Sequence, residues 1–85
     1  MASYRLSIKP SAAKEIEALP KNDRIRIIKR IKGLAENPRP PGSEKLTGND
    51  KYRVRQGQYR IVYSVSEQEL IVLVVKVAHR REVYR

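Results

Sequence analysis

The sequence predicts an α+β protein in which a helical hairpin packs on one small, mostly antiparallel sheet. Apolar residues recur at helical spacing in the first half of the chain and alternate with polar residues in the second half. A loop containing three prolines, residues 37–43, separates the halves. Together these observations give the order β-α-α-β-β-β within a single domain spanning residues 1–85.

A short strand and a first helix are predicted at the N-terminus. Tyr4, Leu6 and Ile8 alternate with polar residues, which is typical of a half-buried strand, and a proline follows. The next helix is expected to begin with Ser11 as its cap and to end before Pro20. Its apolar stripe consists of Ala12, Ile16 and Leu19.

The second helix should follow at once, with Asn22 or Asp23 as its cap. Its buried stripe is expected to comprise Ile27, Ile28, Ile31, Leu34 and Ala35. On the opposite side, three basic residues are expected to point away from the core: Lys29, Arg30 and Lys32. Because the connection is so short, the two helices should form an antiparallel hairpin.

Three strands are predicted after the proline-rich loop. Tyr52 and Val54 belong to one that ends at Gly57, and residues 59–65 form the next. Residues 70–77 are apolar on both faces, so we expect them to lie centrally in the sheet, under the helices.

Composition and charge exclude several classes of protein. The chain has 19 Lys and Arg against 9 Asp and Glu, a formal net charge of +10, which favours a polyanionic partner. With no cysteine and one histidine, disulfides, thiol catalysis and a zinc site are excluded, and no metal or cofactor is expected. Neither a membrane span nor a leader is apparent, so we expect a cytoplasmic protein that does not associate with membranes.

A row of cations marks the first predicted strand of the second half. Lys51, Arg53 and Arg55 are two residues apart, so on a strand they leave one face at intervals of ~7 Å. That interval is close to the spacing of phosphates along a nucleic-acid strand. The alternative is a solvated edge strand, where charge deters aggregation. Arg60 lies across the turn, within a strand otherwise expected to be buried.

Several of these residues permit two interpretations. Arg60 either forms an ion pair with Glu67, Glu69 or Glu82, or binds a phosphate through its planar fork. His79 is either a surface residue at a strand end or a proton carrier. Tyr84 is either a core residue that pins the chain end or part of the site.

The chain resembles the RelE branch of the RelE/ParE toxin superfamily. The resemblance covers the whole chain, and its main segments are YRVR at 52–55, GQYRIVY at 57–63 and VAHRREVYR at 77–85. It implies the same β-α-α-β-β-β fold. It also implies the toxin of a type II toxin–antitoxin system, a metal-independent endoribonuclease that enters the ribosomal A site and cuts the messenger there. The cut would leave a 2′,3′-cyclic or 3′-phosphate end and a free 5′-hydroxyl.

The resemblance also implies roles for individual residues. Arg60 would bind the scissile phosphate, Arg80 would stabilise the pentacoordinate phosphorane, and Tyr84 would activate the 2′-hydroxyl and stack on the message. Arg53 and Arg55 fall where the family has basic residues along the RNA path. From the charge pattern, Lys51 and Arg81 are expected to bind RNA beside them. The family often has lysine where this chain has arginine at positions 53 and 55, and arginine does not readily release a proton. Proton transfer is therefore expected to fall to His79 and Tyr84.

The expected partners follow from the same resemblance. They are a cognate antitoxin that is acidic and partly disordered when free, together with the ribosome and its messenger RNA. Operator DNA would be bound only through the antitoxin complex. Two alternatives stay open: a ParE-like inhibitor of DNA gyrase with the same fold, and a non-catalytic basic domain that binds nucleic acid.

Overall fold

The computed structural model describes residues 3–46, 50–79 and 81, which form a layer of two helices on a five-stranded sheet. The elements are β1 (Arg5–Ile8), α1 (Pro10–Glu17), α2 (Lys21–Glu36), β2 (Glu44–Lys45), β3 (Lys51–Gln56), β4 (Tyr59–Ser66) and β5 (Ile71–His79). The predicted α+β fold is confirmed. The two-residue strand β2 was not predicted, because it is too short to show alternation.

The sheet is mixed, with the strand order β1-β5-β4-β3-β2. β1 pairs with β5 in parallel, and every other neighbouring pair is antiparallel. β5 therefore has a neighbour on each side, as its apolar composition predicted. A bulge interrupts its pairing with β4: Val62 faces Lys76 whereas Tyr63 faces Val74, which leaves one extra residue in β5.

A proline stands at the start of each helix, as the first residue of α1 and as the N-cap of α2, and the predicted caps are not used. Pro10 occupies the first turn of α1, so Ser11 lies inside the helix and does not cap it. Pro20 is the N-cap of α2, so Asn22 and Asp23 also lie within the helix. The cap predictions are wrong because proline suits a helix start: its missing N–H would have no helical partner there, and its φ is preset.

The core lies between the helical layer and one face of the sheet. α2 contributes Ile27, Ile31 and Leu34, which are at most 1% exposed, as predicted. Ile28 is 37% exposed, because it lies one residue, or about 100° of helical rotation, away from that stripe. The other members of the core are Ala12, Ile16, Val54, Ile61, Tyr63, Val65, Val72, Val74 and Val77.

Arg30 does not point away from the core, as the sequence predicted it would. It is partly buried, and its Nε atom is enclosed without a hydrogen-bond partner. The reason is helical geometry: Arg30 is three residues after Ile27 and four before Leu34, which places it at the border of the buried stripe. Lys29 and Lys32 are exposed, as predicted.

Tyrosines fix the proline-rich loop to the sheet. The hydroxyl of Tyr63, whose ring is fully buried, donates a 2.7 Å hydrogen bond to the backbone carbonyl of Pro38. Burial raises the pKa of Tyr63, so this hydroxyl stays protonated as a donor. Tyr52 stacks on Tyr63 with ring centroids 5.8 Å apart. The loop therefore has a defined position over the sheet, and it leads directly into β2.

Candidate functional site

The cations of β3 share the face of the sheet that is turned away from the helices. Val54 is buried in the core, whereas Arg53 and Arg55 alternate with it and project to the other side. The β3–β4 register places Arg55 directly opposite Arg60. Residues opposite one another in an antiparallel pair share a face, so Arg60 projects with them. The predicted common face is confirmed for these arginines.

Three arginines line one concavity of about 370 Å³ on this outer face: Arg53, Arg55 and Arg60. We call them the arginine cluster. Its other lining residues are Gly42 and Glu44. Like charges placed opposite one another destabilise a sheet, yet the hairpin holds Arg55 against Arg60. Such an arrangement is suited to holding an anion, whose charge would offset the repulsion.

Glu44 is the acid of this concavity. β2 pairs with β3 so that Glu44 lies opposite Arg53, and the two side chains form an ion pair and a hydrogen bond. The hydrogen bond from Arg53 lowers the pKa of Glu44, and the positive charges of Arg60 and Arg55 lower it further. All three guanidiniums of the cluster are therefore electrostatically coupled to this carboxylate.

Glu67, considered above as an ion-pair partner of Arg60, is engaged elsewhere. It accepts a 2.7 Å hydrogen bond from the Tyr4 hydroxyl and forms an ion pair with Arg39. Arg39 also donates from Nε to the Tyr52 hydroxyl at 3.0 Å, and its guanidinium lies 5.2 Å from the centre of that ring. We call Tyr4, Arg39, Tyr52 and Glu67 the Arg39 network.

His79 lies on the opposite face of the sheet from the arginine cluster. It pairs with Tyr59 across β4 and β5, and the two rings meet edge to face with centroids 5.8 Å apart. The Tyr59 hydroxyl donates in turn to Asp23 of α2 at 3.1 Å, so this pair faces the helices. Nδ1 of His79 accepts the backbone N–H of Arg81 at 3.3 Å. The residue of β5 that lies opposite Arg60 is Ala78, so His79 does not share the face of the arginine cluster.

The remaining predicted site residues lie outside this cluster. Lys51 projects from the outer face at the start of β3, opposite Ser64, and is exposed. Arg81 is exposed just after β5. Arg80 and Tyr84 lie outside the described residues. The structure thus brings together three of the predicted residues, Arg53, Arg55 and Arg60, and adds Glu44, which sequence reasoning missed.

Within residues 3–46, 50–79 and 81, no group of three or more histidine, cysteine or carboxylate residues is arranged to hold a metal ion. In the same part of the chain, neither helix has the length and apolar character needed to cross a membrane.

Comparison with known proteins shows which protein family this chain is similar to. The family model for the ParE toxin of type II toxin–antitoxin systems matches residues 6–84. A RelE-like toxin protein of Escherichia coli is 35% identical over 80 residues, which are 91% of this chain and 83% of that protein.

Solved structures agree. The archaeal RelE–RelB complex from Pyrococcus horikoshii OT3 superposes with a TM-score of 0.85 at 30% identity, covering 95% of this chain and 99% of that one. The isolated Escherichia coli RelE toxin gives a TM-score of 0.80 at 32% identity, covering 96% and 92%.

The two-layer fold is thus that of the RelE/ParE toxin superfamily. The chain belongs to the family of ParE toxins of type II toxin–antitoxin systems. The resemblance drawn from the sequence is confirmed at this level.

Proposed function

We propose that this toxin is a RelE-type endoribonuclease that cuts messenger RNA in the ribosomal A site. The supporting observation is that the two strands of one hairpin direct Arg53, Arg55 and Arg60 into a single concavity. The three relatives described above, at 30% to 35% identity, are named RelE or RelE-like, which favours this branch of the superfamily.

The proposed chemistry is a metal-independent transesterification. The 2′-oxygen of one nucleotide attacks the adjacent phosphorus, the bond from phosphorus to the 5′-oxygen breaks, and the products are a 2′,3′-cyclic phosphate and a free 5′-hydroxyl. Arg60 would hold the scissile phosphate, and the cluster would offset the charge that grows on the phosphorane. Removing one such preorganised donor typically lowers a rate ~10²–10³-fold.

Proton transfer must come from outside the arginine cluster, because arginine stays protonated. We assign it to Tyr84 and His79, with Arg80 as a further donor to the phosphorane. His79 lies on the same face of the sheet as Tyr59, which is the face opposite the arginine cluster. To transfer a proton to RNA bound at the cluster, it would have to reach around the end of the β4–β5 pair. The variant His79→Ala measures how much His79 contributes to the cleavage rate. If this variant cleaves at the full rate, His79 takes no part in the mechanism.

The proposal is tested by mapping messenger 5′ ends in a reconstituted translation reaction with purified ribosomes. Wild-type protein should give cuts at fixed positions within codons, and Arg60→Gln should lower their rate ~10²–10³-fold. Arg5→Gln is the matched control, since it removes the same charge from an exposed position on β1, an edge strand that is separated from β4 by β5. Equal cleavage by the Arg60 variant, or no cleavage by the wild type, would contradict the proposal.

A cognate antitoxin is the proposed regulatory partner. The matched Pyrococcus horikoshii structure is a RelE–RelB complex, and the net charge of +10 favours an acidic partner that covers the basic surface. The antitoxin would be partly disordered when free, and operator DNA would be bound only through the toxin–antitoxin complex.

Gyrase inhibition is the second candidate, because the matching family model is that of ParE. A supercoiling assay with purified gyrase separates the two. Loss of supercoiling without messenger cleavage supports the ParE-like activity. Neither effect, together with binding of RNA, supports a non-catalytic nucleic-acid-binding domain.

A further inference from the structure

The arginine cluster already holds an anion of its own. Among the described residues that line its concavity, Glu44 is the one carboxylate facing three guanidiniums. It comes from β2, which joins the sheet through its pairing with β3. Strand pairing, rather than side-chain flexibility alone, therefore delivers this carboxylate to Arg53.

A carboxylate and a phosphate use the same guanidinium surface. Both present oxygen pairs that match the planar fork of arginine, so Arg53 cannot bind both with the same N–H groups. The side chain of Arg53 is 18% exposed, whereas that of Glu44 is 62% exposed. The arginine is thus held in place while the glutamate lies at the solvent side, where a phosphate would arrive.

We propose that Glu44 is a built-in counter-anion of the arginine cluster, which RNA phosphate must displace from Arg53 before it binds. This inference rests on the proposed function, in that the cluster is taken as the phosphate site. It makes Glu44 a specificity-determining residue. RNA that is weakly held competes poorly with the carboxylate, whereas RNA positioned against the cluster by the ribosome displaces it.

The arrangement also has a role in the free protein. Without an anion, the guanidiniums lining one concavity would repel one another, and Arg55 and Arg60 lie directly opposite. Glu44 offsets part of that repulsion, and because an ion pair with an exposed partner is weak, it can be displaced. A neutral side chain at position 44 should therefore leave the cluster more attractive to any incoming phosphate.

The test measures affinity for a labelled 2′-O-methyl oligoribonucleotide, which binds but cannot be cleaved. Glu44→Gln should bind about two- to fivefold more tightly than wild type at low salt, the range expected for an exposed ion pair. Its plot of log affinity against log salt should also steepen by about 0.7, since one more arginine would release a counterion on binding single-stranded RNA. Thermal unfolding confirms that each variant is folded.

Glu17→Gln is the matched control, because it makes the same charge change on an exposed position of α1, on the other side of the sheet. It should bind like the wild type. When Arg53→Gln is also present, Glu44→Gln should no longer raise the affinity for the oligonucleotide appreciably, since the arginine that this change would free for RNA is missing. Glu44→Gln that binds no better than Glu17→Gln, or a gain that persists fully without Arg53, would overturn the proposal.

Failure of the inference and failure of the proposed function give different results. If Arg60→Gln binds the oligonucleotide as tightly as wild type, the cluster is not the phosphate site and the proposed function fails. If Arg60→Gln weakens binding but Glu44→Gln does not strengthen it, only the counter-anion role is wrong.

Discussion

Two regions of this toxin use arginine in opposite ways. Arg39 is surrounded by groups that satisfy it: the Tyr52 hydroxyl and ring, and the Glu67 carboxylate. In the arginine cluster, three guanidiniums share a concavity whose described lining supplies one carboxylate, that of Glu44. The Arg39 network ties loop 37–43 and the β4–β5 turn together. The arginine cluster instead gathers three like charges on the outer face.

The comparison shows that net charge says little about where function lies. The Arg39 network has one cation and one carboxylate, whereas the described lining of the arginine cluster has three cations and one carboxylate. Around Arg39, a carboxylate and a hydroxyl satisfy one guanidinium and stabilise the fold. Where three guanidiniums line one concavity, we propose that an anion binds between them. The predictions below test that division.

The largest expected effect separates activity from stability at the two regions. Arg60→Gln should lower messenger cleavage ~10²–10³-fold. Its free energy of unfolding should stay close to that of the wild type, because loss of the repulsion with Arg55 offsets the loss of its other contacts. Arg39→Gln should do the reverse, losing about 1 kcal/mol of stability through its ion pair and ring contact while retaining cleavage. Urea titrations and 5′-end mapping on the same preparations measure both. A destabilised Arg60 variant with normal cleavage would break the comparison.

The next effect concerns the attachment of the loop that leads into β2. Tyr63→Phe removes the hydroxyl that donates to the Pro38 carbonyl and leaves a buried acceptor unsatisfied, so we expect a loss of about 1 to 3 kcal/mol. Tyr59→Phe is the control, because its partner Asp23 is partly exposed and water can replace the hydroxyl. Tyr63→Phe should therefore lower the free energy of unfolding, measured in urea, by more than Tyr59→Phe does. Equal losses of stability in the two variants would show that the hydrogen bond to Pro38 contributes no more than the exposed one to Asp23.

The smallest effect is a pH dependence of the Arg39 network. The hydrogen bond from Tyr4, and then the contact with Arg39, lower the pKa of Glu67 below its ordinary value of 4.5. A lowered folded-state pKa means that the stabilisation is complete above that ordinary value and is lost as the pH falls through the lowered pKa. The stability difference between wild type and Glu67→Gln should therefore be constant from pH 7 to about pH 5 and should vanish on further acidification. Urea titrations across this range measure it, and a difference that persists at pH 2 would contradict the assignment.

Much of the fold followed from patterns within single elements. The helical spacing of Ile27, Ile31 and Leu34 predicted the buried face of α2, because a regular helix repeats that spacing without help from the rest of the chain. The alternation of Arg53 and Arg55 with Val54 predicted the outer face of β3 for the same kind of reason. The superfamily resemblance was likewise available from the sequence and is confirmed.

The site could be predicted only in part. Arg60 was expected near β3 because a tight turn joins the two strands. Glu44 was missed, because β2 has two residues and becomes a strand only by pairing with β3. No local pattern marks such a residue, since the neighbour of Glu44 is set by the pairing of β2 with β3 and not by the sequence around Glu44.

What the sequence alone determined is the identity of the elements and the excess of positive charge, since both follow from residue type and spacing along the chain. What only the tertiary structure decided is which side chains share a face across strands. The bulge in β5 shows why: Val72 and Val74 face the core before it, and Val77 and His79 face the helices after it. One extra residue reverses the alternation, and pairing with β4, rather than the composition of β5, places that residue.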